Sequence, residues 1–184
     1  MKKLLGVLAI CGFVILMKNQ LGAEETLRRG IVGDAAPSWE IQQWAHLPEG
    51  HDALDVSSFK GKVVYLYCFQ SWCPGCHKHG FPALVEVRRY YKDDPLVAFV
   101  AVQTTFEGES ANTFENARKT AAKFDLEIPL GQSGGFGQRS ALMKKYRTRG
   151  TPWTIIIDRK GVVRFSDFFI APKQARTLID KLKK

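Results

Sequence analysis

Three segments of the chain carry apolar side chains on consecutive positions instead of alternating ones: 62–69 (KVVYLYCF), 95–102 (PLVAFVAV) and 154–158 (TIIID). A strand covered on one face alternates apolar and polar residues, whereas a strand buried on both faces is apolar throughout. Short length and enrichment in Val, Ile, Tyr and Phe select strand over helix for all three. Around them the period becomes helical. Phe81, Leu84, Val85, Arg88 and Tyr91 suit one helix over 76–91, bent or entered late because of Gly80 and Pro82. Phe114, Ala117, Ala121 and Phe124 form a second apolar stripe over 110–124. Residues 139–147 and 171–183 complete the helical set, with Pro172 in the first turn of the last helix. A short strand at 128–130 leads into a mobile glycine-rich loop (GQSGGFGQ), and a turn at 159–161 pairs 154–158 with 162–165 as a hairpin. Residues 33–61 keep no strict period and read as irregular chain with a short strand or two. The order strand, helix, strand, helix, hairpin, helix predicts an α/β domain with a mixed central sheet flanked by helices on both faces.

The amino terminus follows another pattern. Lys2 and Lys3 precede an apolar run over 4–17, and a small residue, Ala23, closes the segment. That combination predicts a secretory signal over 1–23. Fourteen helical residues reach roughly 21 Å, short of a ~30 Å hydrocarbon core, but Leu21 is large for a cleavage site, so an uncleaved membrane anchor is the alternative. Residues 24–30 then read as linker, and 24–184 as one domain, since 184 residues with 45% hydrophobic content support one core. Export places the domain in the periplasm or cell envelope, soluble or tethered.

The formal charge is +9, and losing Lys2, Lys3 and Lys18 with the signal leaves about +6. The cations are spread out, with modest clusters at 144–149 and 181–184 that read as solvated surface. Without a basic stripe tied to a binding motif, nucleic acid is excluded as a partner. The glycine-rich loop has neither the strand-to-helix phosphate fingerprint nor a Walker lysine, which excludes nucleotide binding.

Chemistry concentrates in SWCPGCHKHG, residues 71–80. Without Cys11 the exported chain has Cys68, Cys73 and Cys76, too few for a disulfide framework, so Cys73-Pro-Gly-Cys76 points to chemistry. Cys73 lies where a buried strand gives way to a helix. Unpaired N–H groups and the helix dipole there lower its pKa and make it the attacking sulfur. Pro74 fits a first turn because it lacks an N–H, and Cys76, one turn on, resolves the mixed disulfide. Three other readings share these residues. Cys-x-x-Cys-His77 is the pattern for covalent c-type haem attachment, for which Met143, His46 or His51 are unselected sixth ligands. Cys73, Cys76, His77 and His79 could carry copper or zinc, although two histidines two positions apart on a helix diverge. A non-catalytic binding module is the fourth. Cys68 reads as a small apolar residue of its strand.

Gly33-Asp34-Ala-Ala-Pro37, Phe59-Lys-Gly61-Lys62-Val-Val, Trp72-Cys73-Pro-Gly-Cys76 and Gly150-Thr151-Pro152-Trp153 before a strand ending in Asp158 occur in that order. In them the chain resembles thioredoxin-like thiol–disulfide oxidoreductases, within them the exported TlpA-like branch, over roughly residues 31–184. The resemblance implies a thioredoxin fold with an N-terminal extension, and a cis Thr151–Pro152 bond facing the dithiol. It also implies substrate contact at Trp72, Pro74, Thr151 and Pro152, protein thiol or disulfide substrates, and a membrane dithiol carrier as electron donor. The redox-active Cys73–Cys76 disulfide is the only redox group expected, with no metal or other cofactor. Peroxiredoxins share the fold but use a differently placed Thr-x-x-Cys motif. Two departures stand out. Where thioredoxin has a buried acid, six residues before the first cysteine, this chain has Tyr67. Where relatives have Glu three and Pro five residues after the second cysteine, it has His79 and Phe81, with Pro82 one residue late. That shift implies a local insertion or a displaced helix. His77 and His79 are the candidates for tuning Cys76, with Glu86 further along the same helix. Trp153 either flanks the dithiol or packs. The Pro74-Gly75 pair contains no side-chain donor to over-stabilise a thiolate, which favours reductase over oxidase.

Overall fold

Val63, Tyr65, Tyr67 and Phe69 of strand β2 (Val63–Phe69) face one layer of the molecule, and Val64, Leu66 and Cys68 the other; all seven are buried. Successive side chains of a strand alternate between faces, so a strand apolar at every position demands cover on both. The computed structural model describes residues 30–135 and 137–184. The signal or anchor expected at 1–23 and all but the last residue of the expected linker lie outside the described residues.

β2 is the centre of a six-stranded sheet in the order β1-β4-β3-β2-β5-β6. β3 (Val97–Thr104) and β4 (Leu130–Ser133) run parallel to it on one side. On the other side β5 (Trp153–Ile157) is antiparallel to β2 and β6 (Val163–Asp167) antiparallel to β5, and β1 (Gln43–Ala45) closes the far edge antiparallel to β4. Helices α1 (Phe81–Tyr90), α2 (Phe114–Lys123) and α4 (Pro172–Leu182) bring Leu84, Val87, Ala117, Ala121, Ala175 and Ile179 onto the Tyr65–Tyr67 face. The opposite face is covered by α3 (Ala141–Tyr146) and by the irregular chain carrying Trp39 and Leu54. Trp39 Nε1 donates to Tyr146 Oη (3.0 Å), and that hydroxyl donates to the Pro37 carbonyl (2.7 Å). This tie explains how a stretch without periodicity is held in place.

The expected elements are present, with shifted limits. The strand expected at 128–130 begins at Leu130 and runs through Gly131, Gln132 and Ser133, all buried, so the first three of the eight residues of the supposed mobile loop are sheet. Polar composition suggested a loop, but these side chains are paired inside: Gln132 Oε1 accepts from Gln103 Nε2 (2.8 Å), and Ser133 Oγ accepts from Ser140 Oγ (2.8 Å). The second helix starts at Phe114 instead of 110, where the Thr113 hydroxyl caps Asn116 N–H (3.2 Å). The first helix is split. Cys76–Gly80 is a π-helical turn in which Phe81 N–H reaches the Cys76 carbonyl, and only then does α1 begin. A π turn accommodates one residue more than an α turn, which matches Pro82 standing one position late.

Candidate active site

Leaving β2, the chain turns sharply: Cys73 N–H donates to the Gln70 carbonyl (3.1 Å), and the Cys73 carbonyl accepts from Cys76 (3.1 Å) and His77 (3.3 Å). Cys73 therefore opens a helical segment with its sulfur over the first turn, where Cys76 N–H donates to Cys73 Sγ at 3.1 Å. The Thr151 carbonyl lies 3.5 Å from the same sulfur, and the Thr151–Pro152 bond is cis. Gly75 faces Pro152 so closely that a Cβ there would stand 3.3 Å from Pro152 Cδ. The hairpin strand β5 thus delivers the Thr-Pro turn onto the dithiol. Pro74, on the outer side of the turn, is exposed.

The two sulfurs differ in environment. Cys73 keeps 5% of its surface exposed and Cys76 none. Both are free thiols. The hydrogen bond from Cys76 and the N–H groups of Cys76 and Gly75 bring the Cys73 thiol down to about 6, against the opposing effect of burial. Burial first, then the neighbouring Cys73 sulfur, drives Cys76 strongly upward. One sulfur is ready as thiolate near neutrality while the other keeps its proton.

Tyr67 stands under this turn. Its ring stacks on Phe69 (6.0 Å between centroids) and meets Phe81 edge-on (5.1 Å), while its hydroxyl donates to the Cys76 carbonyl at 3.4 Å. Burial and the adjacent Cys76 push its pKa well above the ordinary value, so it remains neutral. The hydroxyl fits only because residue 80 is glycine: a Cβ on Gly80 would lie 2.0 Å from Tyr67 Oη.

The histidines go elsewhere. His77 Nε2 donates to the Ser71 carbonyl at 2.7 Å, and its ring packs against the stacked pair Phe81 and Phe124. His79 is exposed, with Phe169 as its aromatic neighbour. Glu86 faces Arg176 on α4. Among the described residues, no set of three or more His, Cys, Asp or Glu stands together as metal ligands, and His77 and His79 make separate contacts. The nitrogen that CxxCH haem ligation would require is committed to Ser71. Trp72 is 46% exposed and lies beside Gly108, at the rim of the dithiol. Trp153 is buried on the other face, its Nε1 donating to Ser166 Oγ (3.0 Å), and Cys68 is sealed in that same layer.

A buried amide network was not anticipated from sequence. Gln103 Oε1 accepts from Ser71 N–H (3.0 Å) and from the Ser71 hydroxyl, while Asn112 Oδ1 accepts from the same N–H (2.8 Å). Gln103 Nε2 reaches Gln132, whose own Nε2 donates to Thr105 Oγ1 (2.9 Å). These groups fix the loop that precedes Cys73. The signal was present in the glutamines that interrupt apolar β3 and end β4. They are register partners at the carboxyl ends of parallel strands, where open α/β sheets place their sites.

Comparison with known proteins agrees with this geometry. A family model described as Redoxin matches residues 31–173. A solved thiol-disulfide isomerase from Corynebacterium glutamicum superposes with a TM-score of 0.70 at 31% identity, covering 81% of this chain and 97% of that one. ResA of Bacillus thuringiensis, a thiol-disulfide oxidoreductase, is 25% identical over 85% of this chain and 80% of its own length. DipZ of Mycobacterium tuberculosis is 30% identical over 70% of this chain, which spans only 17% of that protein. A match across most of the described domain, on a six-stranded sheet that carries a dithiol against a cis-proline, places the chain in the Redoxin family as a thioredoxin-fold thiol–disulfide oxidoreductase of TlpA-like type.

Proposed function

We propose that the Cys73–Cys76 dithiol exchanges disulfides with protein thiols in the cell envelope, and that it works mainly as a reductase. The observation that carries this reading is the Cys73 sulfur, held at 3.1 Å by Cys76 N–H, faced by the Thr151 carbonyl at 3.5 Å and depressed to about 6. In the first step the Cys73 thiolate attacks one sulfur of a substrate disulfide. A Cys73–substrate bond forms, the substrate S–S bond breaks, and the departing sulfur takes up a proton. The Cys73 charge that raised Cys76 is then gone, so Cys76 loses its proton more readily. Its thiolate attacks Cys73 Sγ, closes the Cys73–Cys76 bond and releases the second substrate thiol. Two electrons pass from the dithiol to the substrate.

Thr151 and Pro152 form the wall against which the substrate chain lies, and Trp72 and Pro74 are its exposed contacts. Depression to about 6 leaves Cys73 nearer to a thioredoxin thiol (about 7) than to a strong oxidant's (about 3.5), which supports the reducing direction. A membrane dithiol carrier re-reduces the pair, and the apolar segment at 4–17 exports or tethers the chain. Insulin reduction by dithiothreitol tests the reading: the chain accelerates it and Cys73→Ser abolishes the acceleration. A reduction potential near about −120 mV, the region of strong oxidants, would overturn the direction.

A further inference from the structure

A cleft of about 860 Å³ opens between the 106 loop, the start of α3 and the chain that leads into the cis-proline. Three cations line it, Arg139, Lys144 and Arg149, and among the described residues no carboxylate does. Elsewhere lysines that stand near acids are used: Lys145 meets Glu40, Lys183 meets Asp94 and Lys119 meets Glu115. The three cleft cations have no ion-pair partner among the described residues. The acids next in sequence to Phe106 are Glu107, which is exposed, and Glu109, whose carboxylate accepts from Gly137 N–H (3.0 Å). The cleft also presents Phe106 and Met143 as apolar surface.

Both walls are continuous with the redox site. Phe106 N–H donates to Gln70 Oε1 (3.2 Å), and the Gln70 carbonyl accepts from Cys73 N–H. On the other wall Thr148 and Arg149 lie three and two residues before Thr151, whose carbonyl faces Cys73 Sγ. At no more than ~3.5 Å per residue, Thr148 to Thr151 is at most about 10 Å along the chain. A peptide whose cysteine sits at Cys73 therefore reaches the cleft within a few residues.

We propose that this cleft binds an acidic segment of the substrate protein, flanking the reactive cysteine, so that substrates are selected by carboxylates a few residues from the target. Charge complementarity names the occupant: unpaired guanidinium and ammonium groups around apolar surface suit Asp or Glu next to an aliphatic residue. The inference rests on the oxidoreductase reading of the dithiol and adds the substrate class.

The test uses the full chain, reduced, and three synthetic peptides, each carrying one cysteine as its mixed disulfide with 2-hydroxyethanethiol. They differ only in a Glu, Gln or Lys pair two and three residues from that cysteine. At about 10 mM ionic strength, where charges act over ~30 Å, the Glu peptide is reduced on the order of tenfold faster than the Lys peptide; near 1 M, where they act over ~3 Å, the gap closes. Arg139→Glu/Lys144→Glu/Arg149→Glu reverses the preference, as do the single variants in part. Lys92→Glu/Lys160→Glu/Lys181→Glu, with the same change of net charge on other surfaces, keeps it. A parallel arm measures anisotropy of the rhodamine-labelled Glu and Lys peptides with serine in place of cysteine, which reads the cleft without turnover. Uncharged 2-hydroxyethyl disulfide reads the dithiol without the cleft. If that disulfide is not reduced, the redox reading fails, and the anisotropy arm still decides the cleft. Equal rates and equal binding for the three peptides overturn the proposal. So does loss of preference in the distant-lysine variant, or binding of the three cations to phosphatidylglycerol vesicles with no peptide preference.

Discussion

At the residue scale the site depends on an asymmetry between two identical side chains. Cys73 gains N–H donors from Cys76 and Gly75 and retains a little exposure, whereas Cys76 gains burial and a charged neighbour. A depressed pKa means that the proton is lost early, so reactivity appears early on raising pH. Carbamidomethylation of Cys73 by iodoacetamide is expected to rise with a midpoint near 6 and level off above it, with Cys76 protected throughout. A midpoint at an ordinary ~8.5, followed by peptide mass spectrometry, would contradict the assignment. Tyr67 and Gly80 make the second residue-level pair. Gly80→Ala would gain up to ~1 kcal/mol of helical propensity, but its Cβ would meet Tyr67 Oη at 2.0 Å and the ring Cζ at 2.6 Å. Overpacking of this kind costs about 1–3 kcal/mol and outweighs the gain. Urea unfolding should show Gly80→Ala destabilised, with Tyr67→Phe/Gly80→Ala recovering part of the loss because the nearest clashing atom is gone. Additive losses in the double variant would refute the contact.

Among the elements, the β5–β6 hairpin is the one on which the site leans most, since β5 delivers Thr151 and Pro152. Its turn is organised by Asp158, whose carboxylate accepts from Lys160 N–H (2.9 Å), Val162 N–H (2.9 Å) and Arg164 Nε (2.7 Å). Burial alone would raise this carboxyl, but those donors outweigh it and hold it below its usual value. The unfolded chain therefore binds the proton more tightly, at an ordinary ~3.9. The stabilisation is present in full above that pH and is lost as pH falls through the lower native value. Asp158→Ala is expected to cost about 2 kcal/mol near neutrality, as a charged acceptor is removed from a turn. The deficit should shrink in acid, and a gap of the same size at pH ~3 would show that the charge is not responsible. The π turn plays a comparable part on the other side of the site, directing the Cys76 carbonyl to Phe81 N–H and Tyr67.

In the whole molecule, β2 contributes to both apolar layers, one containing Cys76 and the other Cys68 and Trp153. Neither layer can open while leaving β2 intact, so one cooperative transition is expected. Labelling of Cys68 and Cys76 across a urea gradient should follow the same midpoint as tryptophan fluorescence, and separated midpoints would show two independent layers. The C-terminal helix is drawn into the same unit by Tyr91 Oη, which donates to Asp180 (2.8 Å), and by Lys183 at Asp94 (2.8 Å). How much of this was legible in the chain depends on how local the cause is. β2, β3 and β5 were, because burial on two faces leaves a run of apolar residues that needs no partner to be recognised. So was the local setting of Cys73, because strand, turn and helix meet there within a few residues. The limits of β4 were not, since Gln132 and Ser133 look like loop until Gln103 and Ser140 supply their hydrogen bonds. Nor was it visible that Tyr67 occupies the space left by Gly80, or that scattered cations share a cleft. Sequence alone determined which faces are apolar and where a thiolate can form, because periodicity and helix starts are written in neighbouring residues. Tertiary structure alone decided what faces that thiolate: the Thr151 carbonyl comes from 78 residues away, and a contact between distant loops is set by sheet topology, which leaves no periodic trace in the chain.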